Sequence, residues 1–573
     1  MLERAEQSCD KASPLEVPST LQASLIARLD RLSDAKRVAQ IGAVIGREFA
    51  HTLLAFAVQL PEAQLAHGID ALVESGLAFR RGVPPDAVYT FKHALVRDAA
   101  YGTLLRSQRQ ELHARIGSAI EEHFPEIVDT QPELLAHHLT QAGLIDPAIG
   151  FWRLAGLRNV GRSAHCEASA HFGLALDLLG KLPPSEQRDT RELGLILDLA
   201  VPLIAVDGFA AIRVEECALR AMELSDQLHG SPSRFAALRL AWNSCLMRQP
   251  VAKTIALARD LIGLAGVDKG PAKLAVAHRS LGYSLLVAGE FCEADEILAR
   301  GAAYADTVAD REFVVYGEHP SMVCRVYDGQ AKILAGFPTS GARLVEEAIA
   351  YARRGENAHS LAWALGVASH SFQIHHETVA TARYAAEAID TARRHHLPQW
   401  LALGERCMGW AMHQRGEFDE GMRLQLQGVR RWNGTGAMLH TTHCEVVLAE
   451  SLLREGQTAA ARAHLDAARA HHVTYGEDYL AAEIDRLEGL LLQQEGAAGD
   501  IVEEYLAKSL DTARRQAARL LELRTATTFA RMLAEKHECS RAFDLLAPIC
   551  GWFTEGFETT DVREAKTLLD ELD

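Results

Sequence analysis

Gly409-Trp-Ala-Met-His-Gln-Arg-Gly416-Glu-Phe-Asp-Glu-Gly421 decides how this chain folds. A small residue, a glycine seven positions later and another small residue five beyond that is the signature of two antiparallel helices in close contact. The first small residue lies where the helices cross. The central glycine ends the first helix in a left-handed conformation, which costs glycine least. The last small residue lets the second helix pack back. Reading outward, the phase recurs at Gly282, Gly289 and Ala294, and at Gly329, Gly336 and Gly341. It recurs again at Ala449, Gly456 and Ala461, at Gly489 and Gly496, and at Ala530, His537 and Ala542. From 409 to 449 and from 449 to 489 the step is 40 residues, and from 489 to 530 it is 41. His370 is assigned to the slot between 329 and 409. A further small residue often follows, as Gly301, Ala348, Gly428 and Ala468. No helix pair can bury its apolar face alone, so neighbours must stack into a solenoid.

The pattern resembles the tetratricopeptide (TPR) repeat, with a period longer than the usual ~34 residues, so each helix should be extended. A HEAT or armadillo array is the alternative. The TPR reading is preferred because of the spacing of small residues and because no proline marks each first helix. These repeats are expected over 266–573, with a C-terminal capping helix at Asp561–Leu572. Degenerate helix pairs are expected over 131–265, including Leu134–Ala142 with Pro147–Leu157, and Glu167–Leu179.

The beginning of the chain has a different character. Residues 1–20 are polar, contain Pro14 and Pro18, and read as a linker. Short helices are expected from Ser19 onward, the last of them over Pro61–Ser75. Leu77-Ala-Phe-Arg-Arg and Val88-Tyr-Thr-Phe then flank a Gly-Val-Pro-Pro-Asp turn, which predicts two short strands within 77–91. A long amphipathic helix should begin near His93. Helices followed by a hairpin describe a winged-helix domain over 21–130. The expected fold is therefore all-α: a TPR-like α-α superhelical solenoid preceded by a small winged-helix domain.

Composition excludes several functions. Among 573 residues, Lys and Arg number 59 and Asp and Glu 76, a net charge of −17, which opposes a phosphate backbone. The helix Pro61–Ser75 carries Glu62, Asp70 and Glu74 and neither Lys nor Arg, so no nucleic-acid partner is expected. No apolar run approaches ~18 residues, so no membrane span is expected. Ten scattered cysteines without a C-x-x-C pair, and an N-terminus lacking an apolar signal region, indicate reduced thiols and a cytoplasmic location. No phosphate-binding glycine loop surrounds Lys181 or Lys269, and no G-x-S-x-G or H-E-x-x-H occurs. The pairs His137-His138, His375-His376, His395-His396 and His471-His472 read as exposed helix faces. Adjacent helical residues point about 100° apart and seldom chelate, so no metal is expected. Glu346-Glu347 and Glu503-Glu504 read as solvated faces.

Several stretches carry a family resemblance. They are Val17-Pro-Ser-Thr-Leu-Gln-Ala-Ser-Leu-Ile-Ala-Arg-Leu-Asp-Arg-Leu32, Val38-Ala-Gln-Ile-Gly-Ala-Val-Ile-Gly-Arg-Glu-Phe49, Phe91-Lys-His-Ala-Leu-Val-Arg-Asp-Ala-Ala-Tyr101 and Arg109-Gln-Glu-Leu-His113. Together they resemble the region just after the ATPase core of bacterial STAND-type regulatory ATPases, many of them fused to class III adenylate/guanylate cyclase domains. Leu546-Ala-Pro-Ile-Cys-Gly-Trp-Phe-Thr-Glu-Gly-Phe557 and Glu564-Ala-Lys-Thr-Leu-Leu569 resemble the C-terminus of the same proteins. The resemblance implies the C-terminal half of such a regulator, or a truncated or split version. The chain itself should be no enzyme, with no cofactor and ATP or ADP met only through an ATPase domain. His93, with Phe91, Lys92 and Asp98, resembles the nucleotide-sensing Met-His-Asp motif, although Ala94 stands where that motif has Asp. His93 would sense a nucleotide held in trans.

The implied function is a non-catalytic signalling scaffold that binds a protein or peptide through the superhelix and regulates an ATPase or cyclase module, supplied in trans. A fragment of a STAND-type transcriptional regulator is the alternative. The partner groove should be lined by the first helix of each pair. Counting from the crossing positions gives Arg279 and Tyr283, Arg406 and Trp410, and Glu483 and Arg486. Arg and aromatic side chains combine apolar area with charge-assisted hydrogen bonds, which suits a peptide or acidic segment.

Overall fold

The structure, a computed structural model, describes residues 19–309, 313, 319–355 and 357–573. Most of the expected 1–20 linker lies outside the described residues, and Ser19 already opens the helix Ser19–Asp30. The chain divides into two compact units. The first comprises 1–157 with 171–183, and the second 158–170 with 184–573.

In the first unit, short helices pack around a three-stranded antiparallel sheet. Strand β1 (Glu48–Ala50) pairs with β3 (Val88–Phe91), which also pairs with β2 (Ala78–Arg81), giving the order β1-β3-β2. The two expected strands are present. The third was not expected, because three residues are too few to show alternation. Gly42 makes room for it: a Cβ there would stand 2.7 Å from the Phe49 ring. The long helix expected from His93 is broken in two, Ala94–Gly102 and Arg106–His123. Thr103 and Leu104 turn the chain between them.

The described part of the second unit is entirely helical, a TPR-like α-α superhelix. Seven pairs run in series from residue 271. They are Pro271–Val287 with Phe291–Ala305, Pro320–Leu334 with Pro338–Arg354, and Ala358–Ile374 with Thr378–Arg394. Then come Pro398–Gln414 with Phe418–Gly434, Thr441–Arg454 with Thr458–Tyr475, Ala481–Gln494 with Gly499–Arg515, and Arg519–Glu535 with Cys539–Cys550. The helix Thr560–Leu572 caps the last pair.

The first helix of every pair ends at a residue with positive φ: Gly289, Gly336, His376, Gly416, Gly456, Gly496 and His537. Counting back seven from His376 gives Ser369, so the crossing slot in the third pair belongs to buried Ser369. His370, assigned to that slot from the sequence, lies one residue on and turns to the inner face. The crossings are close where the sequence demands it. A Cβ on Gly329 would lie 2.6 Å from the Gly341 carbonyl oxygen, and one on Gly409 would lie 2.6 Å from that of Gly421.

Ends of earlier helices also bond to segments four to five pairs further along. Met438 N donates to Met247 O at 2.7 Å, and Asp478 N donates to Val287 O at 2.9 Å. Arg524 Nη2 donates to Ile374 O at 3.0 Å. The superhelix therefore winds tightly enough for its inner face to meet itself.

Candidate functional site

The first helices supply the inner face, and along its middle that face is closed by side chains. Tyr283 stacks on Tyr327 with ring centroids 3.7 Å apart, and Tyr327 meets Trp363 edge-on. The Tyr283 hydroxyl reaches His440 Nε2 at 3.2 Å, and His440 Nδ1 reaches the Tyr479 hydroxyl at 3.1 Å. Arg406 sits deeper. It bonds Cys444 Sγ and His370 Nδ1, both at 2.8 Å, and lies over the Trp432 ring. His443 stacks near His370 and meets Gln373 Oε1 at 3.0 Å. Burial lowers the pKa of His440 to about 4 and pulls His370 and His443 well below the ordinary histidine value. These rings are neutral at neutral pH, so they do not repel the Arg406 guanidinium.

This closure corrects the open groove expected from the sequence. Arg279, Tyr283, Arg406, Trp410, Glu483 and Arg486 do lie on first helices, but none is more than 7% exposed. Trp410 packs with Ala382, Ala411 and Val447. Arg279 lies over the Trp242 ring. The structure brings Tyr283 and Arg406 to one plug through His440 and its neighbours, and places Glu483 and Arg486 elsewhere. The sequence signal for a filled lumen was the density of Trp, Tyr and His on these helices. His370, His440 and His443 were not selected.

Arg486, with Glu483 behind it, lies at the floor of an open cavity of about 390 Å³ lined by the first helices of the last three pairs and the capping helix. Arg486 bonds Glu483 at 2.7 Å, and Arg524 bonds Asp561 at 2.7 Å. Burial alone would raise the Asp561 pKa, but Arg524 outweighs it and holds the carboxyl at about 2. Glu483 is likewise held down by Arg486 and Arg524 against the effect of burial. Both pairs stay ionised, which fixes the floor. Exposed Arg454 and Arg531 stand at the rim, Arg531 bonding Glu564 at 3.1 Å. Arg454 and Arg524 were not foreseen, because no −3 or +1 count from a crossing residue reaches them, whereas Arg531 stands at +1 from Ala530, a crossing to which the count was not extended.

A second cavity of about 440 Å³ lies near the start of the second unit, lined by Ile204, Phe209, Arg239, Asn243, His359 and others.

His93 is exposed at the N-cap of the helix Ala94–Gly102 in the first unit. Asp98, its partner in the motif, bonds Arg97 at 2.9 Å. On the same unit Arg80 bonds Asp70 at 3.0 Å. The four histidine pairs differ from the expected exposed faces. His138, His375 and His471 are buried, and only His395-His396 is exposed at both positions. A helix that turns one histidine outward turns its neighbour inward. Among the described residues no three His, Cys, Asp or Glu side chains form a group that could hold a metal ion, and no helix is long and apolar enough to cross a membrane.

No family model matches the chain. An uncharacterized protein of Rhizobium meliloti (strain 1021) is 26% identical over 526 residues, which cover 90% of this chain and 50% of that protein. The chain thus spans about half the length of this curated relative. Among solved structures, a Rap protein complexed with competence and sporulation factor has a TM-score of 0.48 at 10% identity, covering 67% of this chain and 100% of that one. A STAND protein with a tetratricopeptide repeat sensor, from Pyrococcus horikoshii, has a TM-score of 0.32 at 12% identity, covering 74% and 66%. A Cut9–Hcn1 hetero-tetramer of the APC/C has a TM-score of 0.44 at 12% identity, covering 91% and 98%.

Proposed function

We propose that this chain is a non-catalytic signalling scaffold whose TPR-like superhelix binds a protein or peptide segment. In this reading the first unit is a winged-helix module, and the scaffold restrains an ATPase or cyclase module presented in trans. Exposed His93 then stands where it could meet that module's nucleotide phosphate. The cavity lined by Arg486, Arg524 and Asp561 carries the reading. Its buried ion pairs stay ionised, while Arg454 and Arg531 at the rim face solvent as charge-assisted donors. Such a groove can hold an extended acidic segment between fixed walls.

The test is fluorescence anisotropy on an array of labelled acidic and neutral decapeptides. The wild type is compared with Arg454→Glu/Arg531→Glu and with the outer-face control Arg423→Glu. The rim variant, altered only at exposed positions, should fold normally and lose acidic-peptide binding at least tenfold, while the control retains it. Equal binding by rim variant and wild type would reject the groove.

A further inference from the structure

The base and the mouth of the 390 Å³ cavity carry opposite charge. At the base stand three carboxylates, those of Glu450, Asp561 and, behind Arg486, Glu483, against two guanidiniums, those of Arg486 and Arg524. Arg486 bonds Glu483 at 2.7 Å and Arg524 bonds Asp561 at 2.7 Å, so both guanidiniums are taken. Glu450 is left over. Its side chain is only 16% exposed, Arg486 comes no nearer than 3.8 Å, and its carboxylate makes no hydrogen bond to any described residue. His376, 3.6 Å away, adds no charge as a neutral ring. Thr527 spends its hydroxyl proton on Leu523 O at 2.8 Å, so its oxygen can only accept. At the mouth the balance reverses. Arg531 pairs with Glu564 at 3.1 Å, whereas the exposed Arg454 guanidinium bonds only the neutral Gln414 side chain among the described residues. Glu450 and Arg454 are one turn apart on the helix Thr441–Arg454, ~6 Å along its axis.

We propose that this cavity holds the free amino terminus of a peptide whose first residue is acidic, the ammonium on Glu450 and the side-chain carboxylate toward Arg454 and Arg531. The inference rests on the peptide reading above and deepens it by naming the end that is bound. A carboxylate largely withdrawn from water is costly until a charged partner reaches it. An ammonium brings three donors and no acceptor, which suits both the unbonded Glu450 carboxylate and the Thr527 oxygen. An acidic first residue carries a cation and an anion together, matching opposite surpluses one helical turn apart. A lysine side chain brings its ammonium without the adjoining anion. An acidic segment entering by its middle or its carboxyl end would set an anion against Glu450, so the same base rejects it.

Acidic decapeptides beginning with Glu and labelled at their carboxyl ends are titrated against the full chain by fluorescence anisotropy, each with a free and with an acetylated amino terminus. The pH is 7, where an α-amino group of pKa ~7.7–8.0 is charged. An acetylated set with Lys in first position supplies a side-chain ammonium instead. The free amine is expected to bind at least about tenfold tighter than its acetylated twin, the worth of one charge-assisted hydrogen bond. Glu450→Gln keeps the shape and removes the charge, and should bring that ratio to about one. Arg454→Gln should weaken both forms alike and keep the ratio. The acetylation comparison uses the wild type, so it decides even where Glu450→Gln loses its native circular dichroism. Equal binding by free and acetylated peptides overturns the inference while the peptide reading stands. Acetylated Lys peptides binding as well as free Glu peptides overturn it in favour of a lysine side chain. A ratio unchanged in natively folded Glu450→Gln overturns the seat on Glu450. Binding by none of the peptides rejects the peptide reading itself, and this inference with it.

Discussion

Replacing Gly409 by alanine adds one methyl group at a crossing where two helix backbones touch. The new Cβ would stand 2.6 Å from the Gly421 carbonyl oxygen and 2.7 Å from Gln425 Cα, with Gln425 N nearer still. Unbonded carbon contacts settle at ~3.5–4.0 Å, so the helices Pro398–Gln414 and Phe418–Gly434 must separate by about 1 Å. Both neighbours are backbone and cannot swing aside. The strain spreads, because a Cβ on Gly428 would already stand 2.7 Å from the Ala402 carbonyl oxygen, beside the Arg406 backbone. Overpacking of this kind costs ~1–3 kcal/mol, while alanine in place of a helical glycine gains about 1 kcal/mol. The net expectation is a loss of about 2 kcal/mol, from the upper end of the overpacking range. Gly489→Ala supplies the control. Its Cβ would press on the Leu506 side chain, at 3.1 Å, which can rotate, and stand at an ordinary 3.7 Å from Tyr505 Cβ, so the helical gain roughly cancels the strain. A solenoid need not unfold in one step, so native-state hydrogen exchange is the assay. Amides of the fourth pair should exchange about thirtyfold faster in Gly409→Ala, and those of the sixth pair should be nearly unchanged in Gly489→Ala. Protection of the fourth pair equal to wild type would refute the crossing assignment.

Two further predictions concern pH. His113 and His138, in contact at 2.8 Å, have pKa values pushed by burial to about 4 and about 3, and His375 and His440 are lowered to about 4. The unfolded chain binds these protons at ~6.5, so stability is full above that pH and falls as pH drops toward 4; a urea midpoint unchanged between pH 7.5 and 4.5 would count against buried neutral rings. Asp328 has the opposite sign: burial, with Asp295 close by, raises its carboxyl to about 8, so its contribution is lost as pH climbs from ~4 through 8. Asp328→Asn should therefore match wild type near pH 4 and exceed it near pH 8 in thermal melting, with Lys332 still bonded to Asp295 at 2.5 Å; a variant less stable than wild type at pH 8 would contradict this.

The helix pairs were legible because backbone contact leaves no alternative at the crossings. Only a small residue fits beside Gly341 or Gly421, and only a residue tolerant of positive φ ends the first helix, so composition records geometry directly. His376 and His537 show the limit of that record. A histidine can adopt the same conformation, and the third pair slipped by one residue in the reading because no glycine marked its end. Strand β1 was not legible because its partner β3 lies some forty residues away and three residues carry no periodicity.

The inner face was misread for a deeper reason. Repeat phase fixes which residues point inward, but whether inward means groove or core depends on the rotation between successive pairs. That rotation is set by many small packing differences and is absent from the consensus. Here it returns the chain to itself after four to five pairs, so Tyr283 meets His440 across a separation of 157 residues. The chemistry of Arg406 fits closure better than ligand capture. No carboxylate among the described residues lies within ion-pair distance of it, and its contacts are a thiol, a neutral imidazole and an indole face. A guanidinium so placed is held by polarisable neighbours and is out of reach of an acidic peptide. In the proposed groove that contact falls to Arg454 and Arg531, exposed on the first helices of the fifth and seventh pairs.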